Sequence, residues 1–215
     1  MRVTHSLSKI GNYEGCPARY EFKFIKKLPE PPRAVMVRGT DTHAKLEQSL
    51  LEKNLLAIGG LSSFVKFHAE RMIRAGFVPE YKLAVTREWK KCAWDAEDMW
   101  LRSVLDAFLY DPKEISIGEW KTGGVWDDHA DQRELYCMMS LSCYPDTTLA
   151  KIDTIYADKG MLIGFQLLRE QLAERQAHWT KRFEALERDT FFSPRPGRQC
   201  GWCAYSSRKG GPCQF

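Results

Sequence analysis

The most informative segment of the chain is nine residues long and reads Ile115-Ser116-Ile117-Gly118-Glu119-Trp120-Lys121-Thr122-Gly123. Its β-branched start and short length are typical of a strand. Alternate residues of a strand point to the same face of a sheet, so Glu119 and Lys121 share a face with Ile115 and Ile117. The segment predicts a strand that begins in the core and ends with a carboxylate and an amine side by side.

Two interpretations of this carboxylate and amine compete. In the first, Glu119 and Lys121 form a surface ion pair, because Glu-x-Lys triplets are common and short motifs give many false matches. In the second, Glu119 binds a metal ion and Lys121 steadies an attacking water and the charge that develops on a phosphate.

An aspartate upstream favours the second interpretation. Asp106 stands thirteen positions before Glu119, inside the apolar run Val104–Phe108. An aspartate in such a run is rarely buried without a partner, although a turn or edge position is the alternative. Two carboxylates at adjacent strand ends form the oxygen-rich site that Mg²⁺ or Mn²⁺ prefers. We therefore expect Asp106 and Glu119 to lie together.

The order of secondary structure follows from hydrophobic periodicity and turn residues. Helices are predicted over residues 8–15, 34–53, 61–75, 127–141 and 170–188, with Pro17 opening a further short helix. Strands are predicted over residues 81–89, 99–109, 115–121, 148–157 and 161–167. The order of helices, three strands, helix, two strands and helix predicts an α/β or α+β domain with a central mixed sheet.

Length and composition fit one soluble domain. The chain has 215 residues, of which 44% are hydrophobic and 28% charged, which excludes disordered, collagen-like and coiled-coil proteins. A net charge of +4 permits a nucleic-acid partner without requiring one. No apolar run approaches the roughly 20 residues of a membrane helix, and the N-terminus lacks a secretory signal. We expect a cytoplasmic protein with no membrane partner.

Cysteines are concentrated at the end of the chain. Three of the seven, Cys200, Cys203 and Cys213, stand in the last 16 residues. Without a secretory signal, metal binding is favoured over a disulfide framework. Cysteine thiolates are ligands of both iron–sulfur clusters and structural zinc ions, and a set of four suits either equally well.

Three further residues have polar groups of interest. Gln132 and Tyr136 stand four apart on the helix after the Glu119 strand and so share a helix face, which a solvated polar surface would also explain. His43 lies on the helix of residues 34–53, where a single histidine is usually an ordinary surface or core residue.

Taken together, these features resemble the RecB-like nucleases of the PD-(D/E)xK superfamily. The matching elements, in order, are Ser6-x-Ser8, Tyr13-x-x-Cys16-Pro17-x-x-Tyr20, Gly39-x-x-x-His43, Asp106, Glu119-x-Lys121 and Gln132-x-x-x-Tyr136. One cysteine near the N-terminus and three at the C-terminus are similar to the iron–sulfur subgroup, which includes CRISPR-associated exonucleases, the AddB nuclease domain and related phage proteins.

The resemblance implies a role for each matching residue. The metal ligands would be His43, Asp106, Glu119 and the backbone carbonyl of Trp120, and the catalytic residues would be Asp106, Glu119 and Lys121. Gln132 and Tyr136 would contact DNA and support the site. A 4Fe–4S cluster, or alternatively a structural zinc ion, would be held by Cys16, Cys200, Cys203 and Cys213.

The resemblance also implies an architecture. The whole chain, residues 1–215, would be one nuclease domain with a restriction-endonuclease-like core over residues 79–190. Residues 1–78 would form an N-terminal helical cap, and residues 191–215 a cysteine-rich tail that closes the cluster with Cys16.

The predicted function is that of a nuclease dependent on Mg²⁺ or Mn²⁺, acting as an exonuclease on single-stranded DNA. It would serve DNA recombination, repair, or phage- or CRISPR-related processing, with any helicase or recombination partner on a separate chain. Three alternatives stay open: a structure-specific endonuclease with the same site, a non-catalytic DNA-binding module, and a zinc-ribbon interaction protein in which only the tail cysteines matter.

Overall fold

The structure is a computed structural model that describes residues 4–31, 34–126 and 128–215. Its contacts divide the chain into two compact units. We call Ala34–Gln176 the sheet unit, and His5–Arg33 together with Ala177–Phe215 the cysteine unit. The single domain that the resemblance implies, with boundaries near residues 78 and 190, remains a prediction.

The sheet unit is built on five strands in the order β1-β2-β3-β4-β5. The strands are β1 (Val78–Val85), β2 (Leu101–Tyr110), β3 (Glu114–Lys121), β4 (Leu149–Tyr156) and β5 (Met161–Leu168). β3 and β4 are parallel, and the other neighbours are antiparallel. A parallel pair needs a crossover connection, which α5 (Asp128–Cys143) supplies. The predicted mixed sheet with flanking helices is confirmed.

Helices of the sheet unit pack closely on the sheet. α3 (Ala34–Glu52) and α4 (Ser63–Ala75) form a buried cluster with Trp120 and Ile155. A Cβ atom at Gly118 would lie 2.1 Å from Cε of Met72 on α4, so any larger residue there would require the Met72 side chain to move. Strand alternation turns Glu119 away from this cluster, to the opposite face of the sheet from Trp120.

The cysteine unit consists of short helices and turns. It contains α1 (Leu7–Gly15), α2 (Pro17–Tyr20), a π-helical turn (Glu21–Ile25), most of α6 (Leu172–Arg188) and two short 3₁₀ turns, Arg198–Gly201 and Ser207–Lys209. Pro17 opens α2 as predicted. Ala18, Phe22 and Tyr205 form a small buried cluster against which three of the cysteines pack.

Most predicted elements are confirmed, with two corrections. The first strand ends at Val85 rather than at Trp89, because residues 86–89 form a turn closed by the Trp89 N–H and the Thr86 carbonyl (3.0 Å). Asp106 lies inside β2 rather than at a strand end. The predicted start of the fourth long helix at Asp127 falls outside the described residues. No helix among the described residues is long and apolar enough to cross a membrane.

Candidate active site

Asp106 is held by groups from two neighbouring elements. The ladder between β2 and β3 pairs Ala107 with Gly118, so Asp106 lies across from Glu119. Its Oδ2 accepts a hydrogen bond from the backbone N–H of Trp120 at 2.8 Å, and its Oδ1 lies 3.3 Å from Nδ1 of His43 on α3. A backbone donor thus explains how an aspartate is accommodated in the middle of a strand.

Glu119 is buried, with an exposed fraction of only 3%. Its Oε1 accepts hydrogen bonds from Nζ of Lys121 and from Nε2 of Gln132, each at 2.7 Å. Its Oε2 is buried and has no hydrogen-bond partner among the described residues. This burial rules out the interpretation as a surface ion pair.

The carboxylates of the site repel each other. Burial, followed by the charge of Asp106, raises the pKa of Glu119 from 4.5 to about 7, while Lys121 and His43 partly oppose the shift. The hydrogen bond to Asp106 raises the pKa of His43, against the effect of burial. The positive charges of Lys121 and His43 therefore do not fully compensate the negative charge of ionised Glu119.

These residues fit a divalent cation by their chemistry. Among the described residues, no group of three or more His, Cys, Asp or Glu side chains is already arranged to hold a metal ion. However, the unpartnered Oε2 of Glu119 and the repulsion from Asp106 are both relieved by a cation. Carboxylate oxygens are the donors that Mg²⁺ and Mn²⁺ prefer, and a backbone carbonyl such as that of Trp120 is a compatible further donor.

Replacement of Glu119 by glutamine tests whether the negative charge of Glu119 is incompletely compensated. Because the folded-state pKa lies above the unfolded value, the proton is held more tightly in the native state, and the free energy of unfolding falls as pH rises from about 4.5 to 7. Glutamine mimics the protonated form. We expect the free energy of unfolding of metal-free Glu119→Gln to exceed that of the wild type at pH 8 by about 3 kcal/mol or less, and to equal it near pH 4.

Urea unfolding in EDTA at both pH values measures the difference. Glu114→Gln is the matched control, since Glu114 begins the same strand and pairs with Lys151 at 2.6 Å near the surface. A Glu119→Gln protein that is less stable than the wild type at pH 8 would contradict the expectation.

Helix α5 places its two predicted residues beside the site. Gln132 and Tyr136 are each 8% exposed, so this helix face is buried rather than solvated. Gln132 donates a hydrogen bond to Glu119. Burial, followed by the charge of Glu119, raises the pKa of Tyr136. The roles of both residues toward DNA remain predictions.

One acidic residue near the site was missed by the sequence analysis. Pro79 pairs with Ala107 and Tyr81 with Leu105, which puts Glu80 across from Asp106. Burial, followed by the charges of Asp106 and Glu47, raises the pKa of Glu80. The predicted first strand started at residue 81, one position too late to include Glu80, and no signal in the sequence gives the pairing register.

The cysteine unit, considered by itself, brings the four predicted cysteines together. Cys16, Cys200, Cys203 and Cys213 line one cavity with Phe22 and Tyr205. Backbone N–H groups point at two of the sulfurs, from Arg195 to Cys16 at 3.4 Å and from Gly197 to Cys200 at 3.5 Å. Such hydrogen bonds tune thiolates in metal centres.

The three remaining cysteines belong to the sheet unit. Cys137 and Cys143 are buried, and burial raises the pKa of both thiols, which makes them poor ligands and nucleophiles. Cys92 is half-buried. None of the three lines the cavity of the other four.

The fold and the site define a class of protein. A mixed sheet with an aspartate on one strand and Glu-x-Lys on the next is the arrangement of the PD-(D/E)XK nucleases. The sequence model of the PD-(D/E)XK nuclease superfamily matches residues 4–208. The chain belongs to this superfamily.

A likeness in fold is found among solved structures at low sequence identity. Twenty-five solved chains match. A protein from Eubacterium rectale named "Putative exonuclease" is 13% identical, with a TM-score of 0.50 over 86% of this chain and 80% of that one. SSO0001 is 16% identical, with a TM-score of 0.48 over 100% of this chain and 87% of that one. A comparison with curated protein sequences finds no match.

Proposed function

We propose that the chain is a metal-dependent DNA nuclease of the RecB-like iron–sulfur subgroup, acting as an exonuclease on single-stranded DNA. The observation that carries the proposal is the buried Glu119, whose Oε1 is fixed by Lys121 and Gln132 while its Oε2 has no partner. A carboxylate held in this way, across from Asp106, suits a catalytic metal site better than a structural ion pair.

The residues of the site divide the work of hydrolysis. His43, Asp106, Glu119 and the Trp120 carbonyl would hold Mg²⁺ or Mn²⁺, which supplies Lewis acidity and lowers the pKa of a bound water. Lys121, fixed by Glu119, orients the attacking water and offsets the negative charge that develops on the scissile phosphate. Gln132 keeps Glu119 in place, and the Trp120 N–H keeps Asp106 in place.

The cysteine unit would hold a 4Fe–4S cluster at Cys16, Cys200, Cys203 and Cys213, with a structural zinc ion as the alternative. The shared cavity and the N–H groups directed at two sulfurs support a metal centre of either kind. Its role is structural, since a metal bridge between residues this distant in sequence removes much of the freedom of the unfolded chain.

Two observations support exonuclease action. The chain belongs to a nuclease superfamily, and one protein of similar fold bears the name "Putative exonuclease". The net charge of +4 and the exposed aromatic side chains of the chain are compatible with single-stranded DNA. Any helicase or recombination partner would be a separate chain.

Linear and circular single-stranded DNA of the same sequence distinguish exonuclease from endonuclease action. We expect the linear strand to be degraded in Mn²⁺ and the circle to persist, because an exonuclease needs a free end. Gel analysis over time measures both rates. Cutting of the circle at a rate similar to that of the linear strand would favour the endonuclease alternative.

A further inference from the structure

Trp126 is an unusually exposed aromatic residue close to the candidate active site. It lies in the connection between β3 and α5, and its exposed fraction is 66%, the largest among the described aromatic side chains of the sheet unit. A tryptophan in water exposes a large apolar surface that a stacked ligand would cover. The mechanism proposed above leaves this residue without a role.

The loop that carries Trp126 is anchored at both ends. The N–H of Gly123 donates to Oδ2 of Asp158 at 2.7 Å, and the N–H of His129 donates to the Trp126 carbonyl at 3.2 Å. The indole packs over Gly124, where an added Cβ would lie 3.0 Å from Cζ2 of the ring. The ring is therefore displayed on a fixed loop with one face supported by backbone.

The loop connects two parts of the active site. It begins directly after Lys121 and leads into the helix whose Gln132 holds Glu119. Five residues of chain reach at most about 18 Å between the Cα atoms of Lys121 and Trp126, a distance that a short segment of DNA can span. On the same helix, Arg133 lies one turn after His129, and both side chains contact the hydroxyl of Tyr156. An arginine close to this loop provides positive charge for a phosphate.

We propose that Trp126 stacks on a nucleobase of the bound strand, one to three nucleotides from the scissile phosphate. The inference rests on the proposed function and adds a determinant of strand preference to it. A base in single-stranded DNA is free to stack on the indole, whereas a base in a duplex must first leave its neighbours. Stacking accepts every base, so Trp126 favours single strands without selecting a sequence.

The test compares DNA binding by Trp126→Ala, Trp126→Phe and the wild type. The probe is a fluorescein-labelled oligothymidine of about 20 nucleotides, with Ca²⁺ in place of Mn²⁺ to suppress cleavage. Loss of one stacked base typically weakens binding by about 5- to 100-fold, so we expect Trp126→Ala to lose affinity within this range and Trp126→Phe to retain most of it. Phe67→Ala is the control, because Phe67 is a 56% exposed aromatic on α4.

Oligonucleotides with a single abasic position provide the second readout. With the wild type, we expect one position near the cleavage site to weaken binding, and with Trp126→Ala the same position to have no effect. An unchanged affinity of Trp126→Ala, or an abasic profile equal to that of the wild type, would overturn the stacking role. If the wild type neither binds nor cleaves DNA, the proposed function itself fails. If it cleaves while Trp126→Ala binds normally, only the stacking role fails.

Discussion

Replacement of Lys121 by alanine is expected to abolish nearly all DNA cleavage and to leave the fold intact. Nζ of Lys121 lies 2.7 Å from Oε1 of Glu119, and its side chain is 19% exposed, so the amine is held close to the carboxylate that would bind metal. Removal of one group that stabilises transition-state charge typically lowers the rate on the order of 10²–10³ fold. Glu119→Ala should have at least the same effect, since it also releases Lys121 and Gln132.

A second glutamate–lysine pair provides the matched control. Glu114 and Lys151 join the same strand, β3, to β4, with 2.6 Å between Oε2 and Nζ. Glu114 lies five residues before Glu119, so this pair is about 17 Å away along the strand. Lys151→Ala should therefore cleave DNA at the wild-type rate. Initial rates on labelled single-stranded DNA, with circular dichroism to verify folding, measure both variants. A folded Lys121→Ala protein that cleaves normally would refute the catalytic role.

Replacement of Cys200 or Cys203 by serine is expected to remove a brown colour from anaerobically purified protein and to expose the cysteine unit to proteolysis. Both residues line the cavity shared with Cys16 and Cys213, and the apolar cluster beside it is small. A unit with so little core would depend on the proposed metal centre, whose loss would lower the free energy of unfolding by several kcal/mol at least.

Cys92→Ser is the matched control, because Cys92 is half-buried in the sheet unit and lies outside the cavity. It should keep both colour and protease resistance. Visible absorbance, metal analysis and limited proteolysis give three independent readouts. Stoichiometric zinc without iron would reject the iron–sulfur cluster and retain the structural role. A colourless, metal-free and protease-resistant wild type would reject both.

Strand alternation predicted the local part of the site from the sequence. Glu119 and Lys121 were expected on one face because successive side chains of a strand alternate, and the structure has them in contact. The mixed sheet was likewise expected from the order of helices and strands. Strand alternation depends only on residues near each other in sequence, and element order depends only on where each segment begins and ends.

Other features depend on contacts between distant parts of the chain. The pairing of Glu80 with the position of Asp106 is set by the register of β1 on β2, which no tight turn fixes because the connection between these strands is long. The backbone N–H of Trp120 donates to the side chain of Asp106 instead of to a backbone carbonyl of the ladder. No residue propensity predicts this bond. The π-helical turn was also missed, because its bond from the Lys26 N–H to the Glu21 carbonyl spans five residues rather than four.

The unpartnered oxygen of Glu119 also bears on how long the protein survives in a cell. A buried carboxylate oxygen without a partner weakens the metal-free protein, whereas a bound cation would stabilise the native state by mass action. Proteases and chaperones act on the unfolded fraction, so the metal-starved form should be cleared faster than the loaded form. The supply of divalent cations would then set the abundance of the enzyme as well as its turnover, and a chain that fails to acquire metal would be removed before it accumulates on DNA.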